Sequence, residues 1–302
     1  MSRVLVTGGA GFIGSHLVRL LLAHNYDVTV LDNLSTGRRE WVPQDAELVV
    51  GSVGERGLMR DLCEGRDGVF HLAAMSRVLP SLFGGPSACL FSAEQNVIGT
   101  LNVLISAAEA KVKRFVYSAS STYYGNLPAP HHEMLPPGCH TPYAISKYAG
   151  ELYAMQFDRT YDLACVALRY FQVYGPRQPV SGEYAMVTGI FLDQAKRGVP
   201  LTIHGDGKQR RDFVHVADVA EANLRAFRSD VRGEVINVGT GHSHSIHELA
   251  NLISGEQTFL PARAHDMRET RADTGKCWRL LGWSPMTEFE AGTRALMESD
   301  AA

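Results

Sequence analysis

A short apolar strand running into a cluster of glycines constrains this chain more than any other feature. Val4-Leu5-Val6-Thr7 is followed by Gly8, Gly11 and Gly14 in GxxGxxG spacing, and Leu17, Val18, Leu20 and Leu21 then recur at helical intervals. A chain turning from a parallel strand into a helix needs residues without a β-carbon at the turn, where backbone meets a ligand, and where helix packs on strand. The free N–H groups and positive end of the helix suit a pyrophosphate. About twenty residues further on, the run Val28–Leu31 ends in Asp32, the spacing that the dinucleotide fingerprint requires. A carboxylate there accepts both ribose hydroxyls of an adenosine and repels a 2′-phosphate, so the stretch predicts NAD rather than NADP.

The rest of the first half continues the same alternation. Strands are expected at 47–50, 69–74, 114–117 and 163–170, with helices over 16–23, around Leu58, Met59 and Leu62, over 91–110 and from Pro142. This is the pattern of an α/β fold, a doubly wound parallel sheet. His71 reads as a hydrogen-bonded core histidine and Asn96 as a buried backbone tether. The second half is less regular, with a turn at 175–179, a helix over 184–196, short strands at 201–204 and 211–214, a helix over 215–227 and a strand at 234–238. Ser245 and Glu248 have capping-box spacing before a helix to Ile253, and a final helix covers 287–297. The expected division is a cofactor-binding part, 1–170, and a smaller mixed α/β lobe, 171–302. The strand near 201–214 and the helix 215–227 are expected to pack back on the first part.

Composition narrows the function classes. With 302 residues and a net charge of −3, the chain has no basic footprint for nucleic acid. The pairs Arg38-Arg39 and Arg210-Arg211 are local anion-binding candidates, the second more than the first. The five cysteines lack metal-site or disulfide-framework spacing. Cys139 reads as a loop residue, and Cys63, Cys89, Cys165 and Cys277 as helix or core positions. No apolar run is read as reaching the ~20 residues of a spanning helix, and the start runs directly into a strand. A cytoplasmic protein with no membrane and no metal is expected.

The chemistry sits past the fifth strand. Ser118-Ala-Ser-Ser-Thr-Tyr-Tyr-Gly125 crowds hydroxyls at a strand's C-terminal end, where ligands bind in open α/β sheets. Tyr143 and Lys147, four apart, share one helix face. A tyrosine ordinarily titrates near ~10 and is a poor base at neutral pH. A neighbouring ammonium and a cationic nicotinamide favour its phenolate, which then takes a proton from an alcohol. A serine hydroxyl bonds the reacting oxygen.

In this order and spacing the landmarks resemble the extended short-chain dehydrogenase/reductases, specifically the NAD-dependent sugar-nucleotide epimerase/dehydratase branch. They are Thr7-Gly-Gly-Ala-Gly-Phe-Ile-Gly14, Asp32-Asn-Leu34, His71-Leu-Ala-Ala74, Asn96-Val-Ile-Gly-Thr100, Pro142-Tyr-Ala-Ile-Ser-Lys147, Leu168-Arg-Tyr-Phe171, Val173-Tyr-Gly-Pro-Arg-Gln178, Gly205-Asp-Gly207, Arg211-Asp-Phe-Val214 and Leu281-Gly-Trp283. The resemblance implies a Rossmann sheet with a substrate lobe, and catalysis by Ser120, Tyr143 and Lys147, with Ser121 the alternative one register on. It implies NAD contacts at Gly8, Gly11, Phe12, Ile13, Gly14, Asp32, Asn33, Ser35, Thr36, Gly37, Ser52, Val53, Leu72, Ala73, Ala74, Asn96, Ser118, Tyr143, Lys147 and Tyr170. Substrate contacts are implied at Ser76, Arg77, Ser120, Ser121, Thr122, Gln172, Tyr184, Arg211, Thr270, and Arg263 or Arg268.

Dehydratases of the branch carry an Asp-Glu pair where this chain has Ser121-Thr122, so 4-epimerisation of a UDP-hexose through a 4-keto sugar is expected instead. UDP-glucose and UDP-galactose are the first substrates to consider, and the room that Thr270 leaves admits UDP-N-acetylhexosamines. Three further readings stay open: a UDP-glucuronate 4-epimerase, in which an arginine stands where this chain has Pro179; a 4,6-dehydratase or 4-reductase; and a non-catalytic NAD-binding scaffold. Gln172 replaces a usual asparagine, and Ser52 a common aspartate near adenine. Helices 91–110 and 142–159 pair into a four-helix bundle in family members, which implies a homodimer.

Overall fold

The computed structural model describes residues 1–76, 81, 84–182, 185–262 and 266–301, with side chains to 298. Seven parallel strands form the main sheet: β1 (Arg3–Thr7), β2 (Asp27–Asp32), β3 (Glu47–Val50), β4 (Gly68–His71), β5 (Arg114–Ser120), β6 (Ala164–Tyr170) and β11 (Glu234–Val238), in spatial order β11-β6-β5-β4-β1-β2-β3. The chain steps outward one way from β1 to β3 and the other way from β4 to β11. The switch between β1 and β4 opens a crevice at their C-terminal ends. The seventh strand comes from beyond residue 170, so the main sheet draws on both halves of the sequence.

Side chains alternate along each strand, and the two sheet faces bury separate clusters. Val4 and Val6 face helices α1 (Phe12–Ala23) and α6 (Val216–Arg228), which pack together. Leu5 faces the opposite layer of α2 (Arg56–Cys63), α3 (Gly85–Glu109) and α4 (Pro142–Thr160). Helix α1 begins at Phe12, inside the glycine motif and four residues before the expected start, with Gly11 as its N-cap.

The remaining elements form the smaller lobe. These are β7 (Gln172–Tyr174), β8 (Leu201–His204), β9 (Arg210–Arg211), β10 (Phe213–His215), β12 (His244–Ser245) and β13 (Gln257–Leu260), with α5 (Val187–Lys196), α7 (Ile246–Ile253) and α9 (Phe289–Ala301), whereas α8 (Gly275–Leu281) packs back on β11 and α6. They pair as β7–β10, β8–β13 and β9–β12, around a core with Phe191, Leu201, Phe213, Leu249 and Phe289. Strand β8 thus pairs with β13 inside the lobe rather than on the main sheet, whereas α6 does pack back on it. The Ser245–Glu248 capping box forms as expected. Asp212, between Arg211 and Phe213, accepts from the Thr240, Gly241 and Ala272 backbone N–H groups at 2.7, 3.0 and 2.9 Å.

Helix α3 departs from the sequence reading. It starts at Gly85, six residues before the expected start at 91, and contains a π-turn at Glu94–Ile98. By length and composition its 25 residues suffice to cross a bilayer, against the expectation of no such run. Its inner face is bonded to the fold. Asn96 accepts from the Met75 N–H (2.8 Å) and donates to the Met75 carbonyl (3.0 Å) and Ser146 (2.9 Å). His71 is the core histidine expected, held between Thr7 (2.7 Å) and Thr100 (2.9 Å), and burial lowers its pKa to about 3. Cys63, Cys165 and Cys277 are buried, and Cys89 takes a helix position, exposed on α3.

Between α4 and β6 lies a buried ion pair. Arg169 donates through Nε to Glu151 Oε2 (2.9 Å) and through Nη2 to Oε1 (2.6 Å), and its Nη1 donates to the Tyr124 hydroxyl (2.9 Å). Removing one partner of such a pair strands the other charge. Arg169→Met should therefore cost about 3–5 kcal/mol in urea unfolding. Adding Glu151→Leu should recover most of it; a double variant no more stable than the single one contradicts this account.

Candidate active site

A cleft of about 730 Å³ runs along the C-terminal edge of the sheet from the glycine turn to the smaller lobe. At its first end, the Gly8 φ of +73° lies in the left-handed region, and a β-carbon there would come 2.7 Å from the Ala73 nitrogen. One on Gly14 would come 2.1 Å from the Gly8 carbonyl. Backbone here is packed too closely for any side chain, leaving the N–H groups at the start of α1 facing the cleft. Asp32 accepts from the Ala10 N–H (3.0 Å) and the Leu34 N–H (2.9 Å). Each oxygen keeps a further lone pair. Burial raises the Asp32 pKa and those two bonds oppose the rise. This cradle and carboxylate fit the diphosphate and adenosine ribose of a dinucleotide.

Most of the expected cofactor residues meet here: Gly8, Gly11, Phe12, Ile13, Gly14, Asp32, Asn33, Ser35, Thr36, Ser52, Val53, Leu72, Ala73 and Ala74 line the first half. Ser118 and Tyr170, bonded to each other at 3.0 Å, line it further in. Gly37 and Asn96 are not lining residues: Gly37 packs on the Asp32 carboxylate, and the Asn96 amide is spent on Met75 and Ser146. The sequence reading missed Trp41, whose ring lies 5.1 Å from the Arg38 guanidinium beside the cleft. An arginine and an aromatic three apart after Asp32 were the available signal.

In the middle of the cleft stand Ser120, Tyr143 and Lys147. Ser120 ends β5, and its Oγ lies 2.9 Å from the Thr122 hydroxyl. Tyr143 enters α4 one residue after Pro142, with Thr141 capping the helix by accepting from the Ala144 N–H (3.0 Å). Burial raises the Tyr143 pKa, and a hydrogen bond with Ser120 pulls it back. Lys147 is 3% exposed, with Nζ 4.4 Å from the Tyr117 ring centroid. Burial lowers its pKa to about 7, against the pull of Glu151 one turn further along α4. On protein groups alone, the ammonium expected from the sequence is therefore only partly charged at neutral pH.

The far end is the substrate half of the sequence reading. Ser76, Ser121, Thr122, Gln172, Arg211 and Thr270 line it. Arg211 is held by an ion pair with Asp266 and by donation to the Met267 carbonyl (2.7 Å). Gln172 donates to the Met186 sulfur at 3.2 Å. Arg268 is not in the cleft; it is exposed and paired with Asp206 at 3.1 Å. Arg77, Tyr184 and Arg263 lie outside the described residues. Gln178, Met186 and Met267 also line the cleft without having been singled out for it. Gln178 stood in a quoted landmark, while nothing in the local sequence marks the methionines. Among the described lining residues, Asp32 is the one carboxylate.

The profile of the NAD dependent epimerase/dehydratase family matches residues 4–239 of this chain. The chain belongs to that family. The UDP-glucose 4-epimerase of Mycolicibacterium smegmatis is 38% identical over 310 residues, spanning 98% of this chain and 97% of the relative. The crystal structure of a UDP-glucose 4-epimerase with UDP-glucose from Thermotoga maritima superposes with a TM-score of 0.93 and 36% identity, over 99% of this chain and 98% of the other. The Thermus thermophilus UDP-glucose 4-epimerase complex with NAD gives 0.89 and 35%, over 98% of each chain.

The depressed Lys147 pKa has a consequence for stability. In the unfolded chain a lysine keeps its proton to about 10.4, whereas in the folded protein this one releases it near 7. Between those values the unfolded chain binds more protons, so Lys147 makes stability rise with pH. In NAD-free protein, Lys147→Met should flatten the rise of the urea midpoint between about pH 7 and 9. Parent and variant rising equally would place the lysine at its ordinary pKa.

Proposed function

We propose that this protein is an NAD-dependent UDP-hexose 4-epimerase that interconverts UDP-glucose and UDP-galactose through a 4-keto sugar. The observation that carries the reading is the company Ser120, Tyr143 and Lys147 keep. They share one cleft with a dinucleotide cradle, and the sole carboxylate lining it among the described residues is Asp32, at the adenosine end. Water elimination needs an acid at the sugar, and Ser121 and Thr122 supply none. A uronate needs a cation, and the described lining cation at the substrate end is Arg211, whose guanidinium suits the diphosphate.

When bound, NAD supplies the acceptor and donor of the C4 hydride. The chain's residues do the rest. Tyr143 takes the C4 hydroxyl proton and returns it after the keto sugar has turned over. Ser120 holds the same oxygen, and Lys147 in its charged form favours the tyrosinate and bonds the nicotinamide ribose. Gly8, Gly11 and Gly14 seat the pyrophosphate and Asp32 the adenosine ribose. Thr270, small and buried at the sugar end, favours acceptance of N-acetylhexosamines as a second substrate class.

The two long helices support a homodimer through a four-helix bundle. Leu90, Phe91 and Ile98 on α3, and Ile145, Leu152 and Tyr153 on α4, are exposed. The cysteines are free, as a reducing cytoplasm would keep them.

Incubation with UDP-glucose should yield UDP-galactose without net NADH; a 4-keto-6-deoxy product overturns the reading. Tyr143→Phe should bind NAD normally and lose about 10²–10⁴-fold in kcat. Undiminished turnover refutes the assignment of the base. Leu152→Glu should sediment as a monomer at concentrations where the parent is a dimer. A parent that is monomeric throughout refutes the bundle.

A further inference from the structure

The turn between β7 and α5 carries a side chain whose state the reading above does not explain. Gln178 lines the cleft and is 6% exposed, yet neither its Nε2 nor its Oε1 has a hydrogen-bond partner. The other buried amides, Asn96, Asn223, Asn237, Gln194 and Gln209, are all engaged. Further orphaned polar atoms occur on Ser106, Tyr123, Thr188 and Arg271, but none of these lines the cleft. A buried amide with both groups unpaired is costly, while an apolar side chain of the same shape would carry no such cost.

The turn itself is fixed. Arg177 adopts a left-handed φ of 67°, and the Gln178 N–H donates to the Gly175 carbonyl (3.2 Å). Arg177 donates to the Ser15 hydroxyl (3.1 Å), and His16 bonds the Pro176 carbonyl (2.8 Å). These bonds tie the turn to the start of α1, beside Gly14. On its other side the turn leads into Pro179, Val180 and Ser181 of the cleft wall. Gln178 therefore stands where the cofactor end and the substrate end adjoin. Nearby Gln172 donates only to a sulfur, a weak acceptor.

We infer that Gln178 is a ligand-reading residue, its amide pairing with a bound neutral group that offers both a donor and an acceptor at the junction of the two subsites. Two groups have that chemistry: a hexose hydroxyl and the carboxamide of the nicotinamide. An uncharged amide, with one donor and one acceptor group, suits either. The hydroxyl arm rests on the UDP-hexose reading; the carboxamide arm rests only on NAD binding.

The test uses the full chain freed of NAD, with Gln178→Met, close in shape and apolar, and Gln178→Glu, which keeps an acceptor and loses the donor. Calorimetry measures Kd for NAD, and for UDP and UDP-glucose with NAD present. Both variants should weaken NAD, or UDP-glucose but not UDP, by about fivefold or more. Loss confined to NAD identifies the carboxamide; loss for UDP-glucose relative to UDP identifies a sugar hydroxyl. Gln178→Met should also melt no lower than the parent, since it removes an unpaired amide. Folded variants with all three Kd values within about twofold of the parent overturn the inference. Melting several degrees lower in both variants overturns it as well, because the amide then has a partner inside the protein. If the parent binds NAD but no UDP-glucose, the substrate reading falls and the NAD arm alone decides for Gln178.

Discussion

The structure depends on one backbone crossing, where the end of β1, the start of α1 and the segment after β4 come together with no side chain between them. The Gly8 and Gly14 positions leave no room for a β-carbon, the first against Ala73 and the second against Gly8 itself. This crossing is also the point at which the sheet reverses its direction of growth. Its tightness brings the first half-sheet, which ends in Asp32, against the second, which ends in Ser120. A looser turn would separate the adenosine end of the cleft from its reacting end.

Charge in the cleft is distributed sparingly. The one described lining carboxylate lies at the adenosine end, already accepting two backbone N–H groups. Lys147 owes what charge it keeps partly to Glu151, yet that carboxylate is bonded bidentately to Arg169. Helix α4 therefore carries a neutral ion pair rather than a free negative charge at this point. This explains why burial outweighs Glu151 in setting the Lys147 proton. Arg211 is likewise committed to Asp266, whose carboxylate orients its guanidinium at the cleft wall.

Much of this was legible in the sequence because it is local. Glycine spacing, a strand-terminal aspartate, a hydroxyl cluster and a tyrosine–lysine pair each lie within one strand–turn–helix unit, where backbone geometry dictates side-chain position. What was not legible depends on distant partners. The strand at 234–238 looks like any short apolar strand, and only pairing with β6 makes it part of the main sheet. Arg268 has the charge of an anion ligand, but Asp206 of the preceding turn holds it at the surface. Asn96 has the position of a cofactor contact, but Met75 takes its amide. Helix α3 was cut short because Gly84, Gly85 and Pro86 resemble a loop, whereas proline is well tolerated in a first helical turn.

The π-turn in α3 is the room that one extra residue takes up in a helix. The wider turn at Glu94–Ile98 brings Asn96 inward to Met75, while Leu90, Phe91 and Ile98 lie exposed on either side of it. Deleting a single residue there would restore a regular α-helix with both flanks facing as they do now, and Asn96 would lose the wide turn that presents it to Met75. Deleting a second would leave no wide turn to absorb the change and would rotate everything before it by about 100° relative to everything after. Leu90 and Phe91 would then swing away from Ile98, so the helix tolerates the loss of one residue where its outer surface does not tolerate the loss of two.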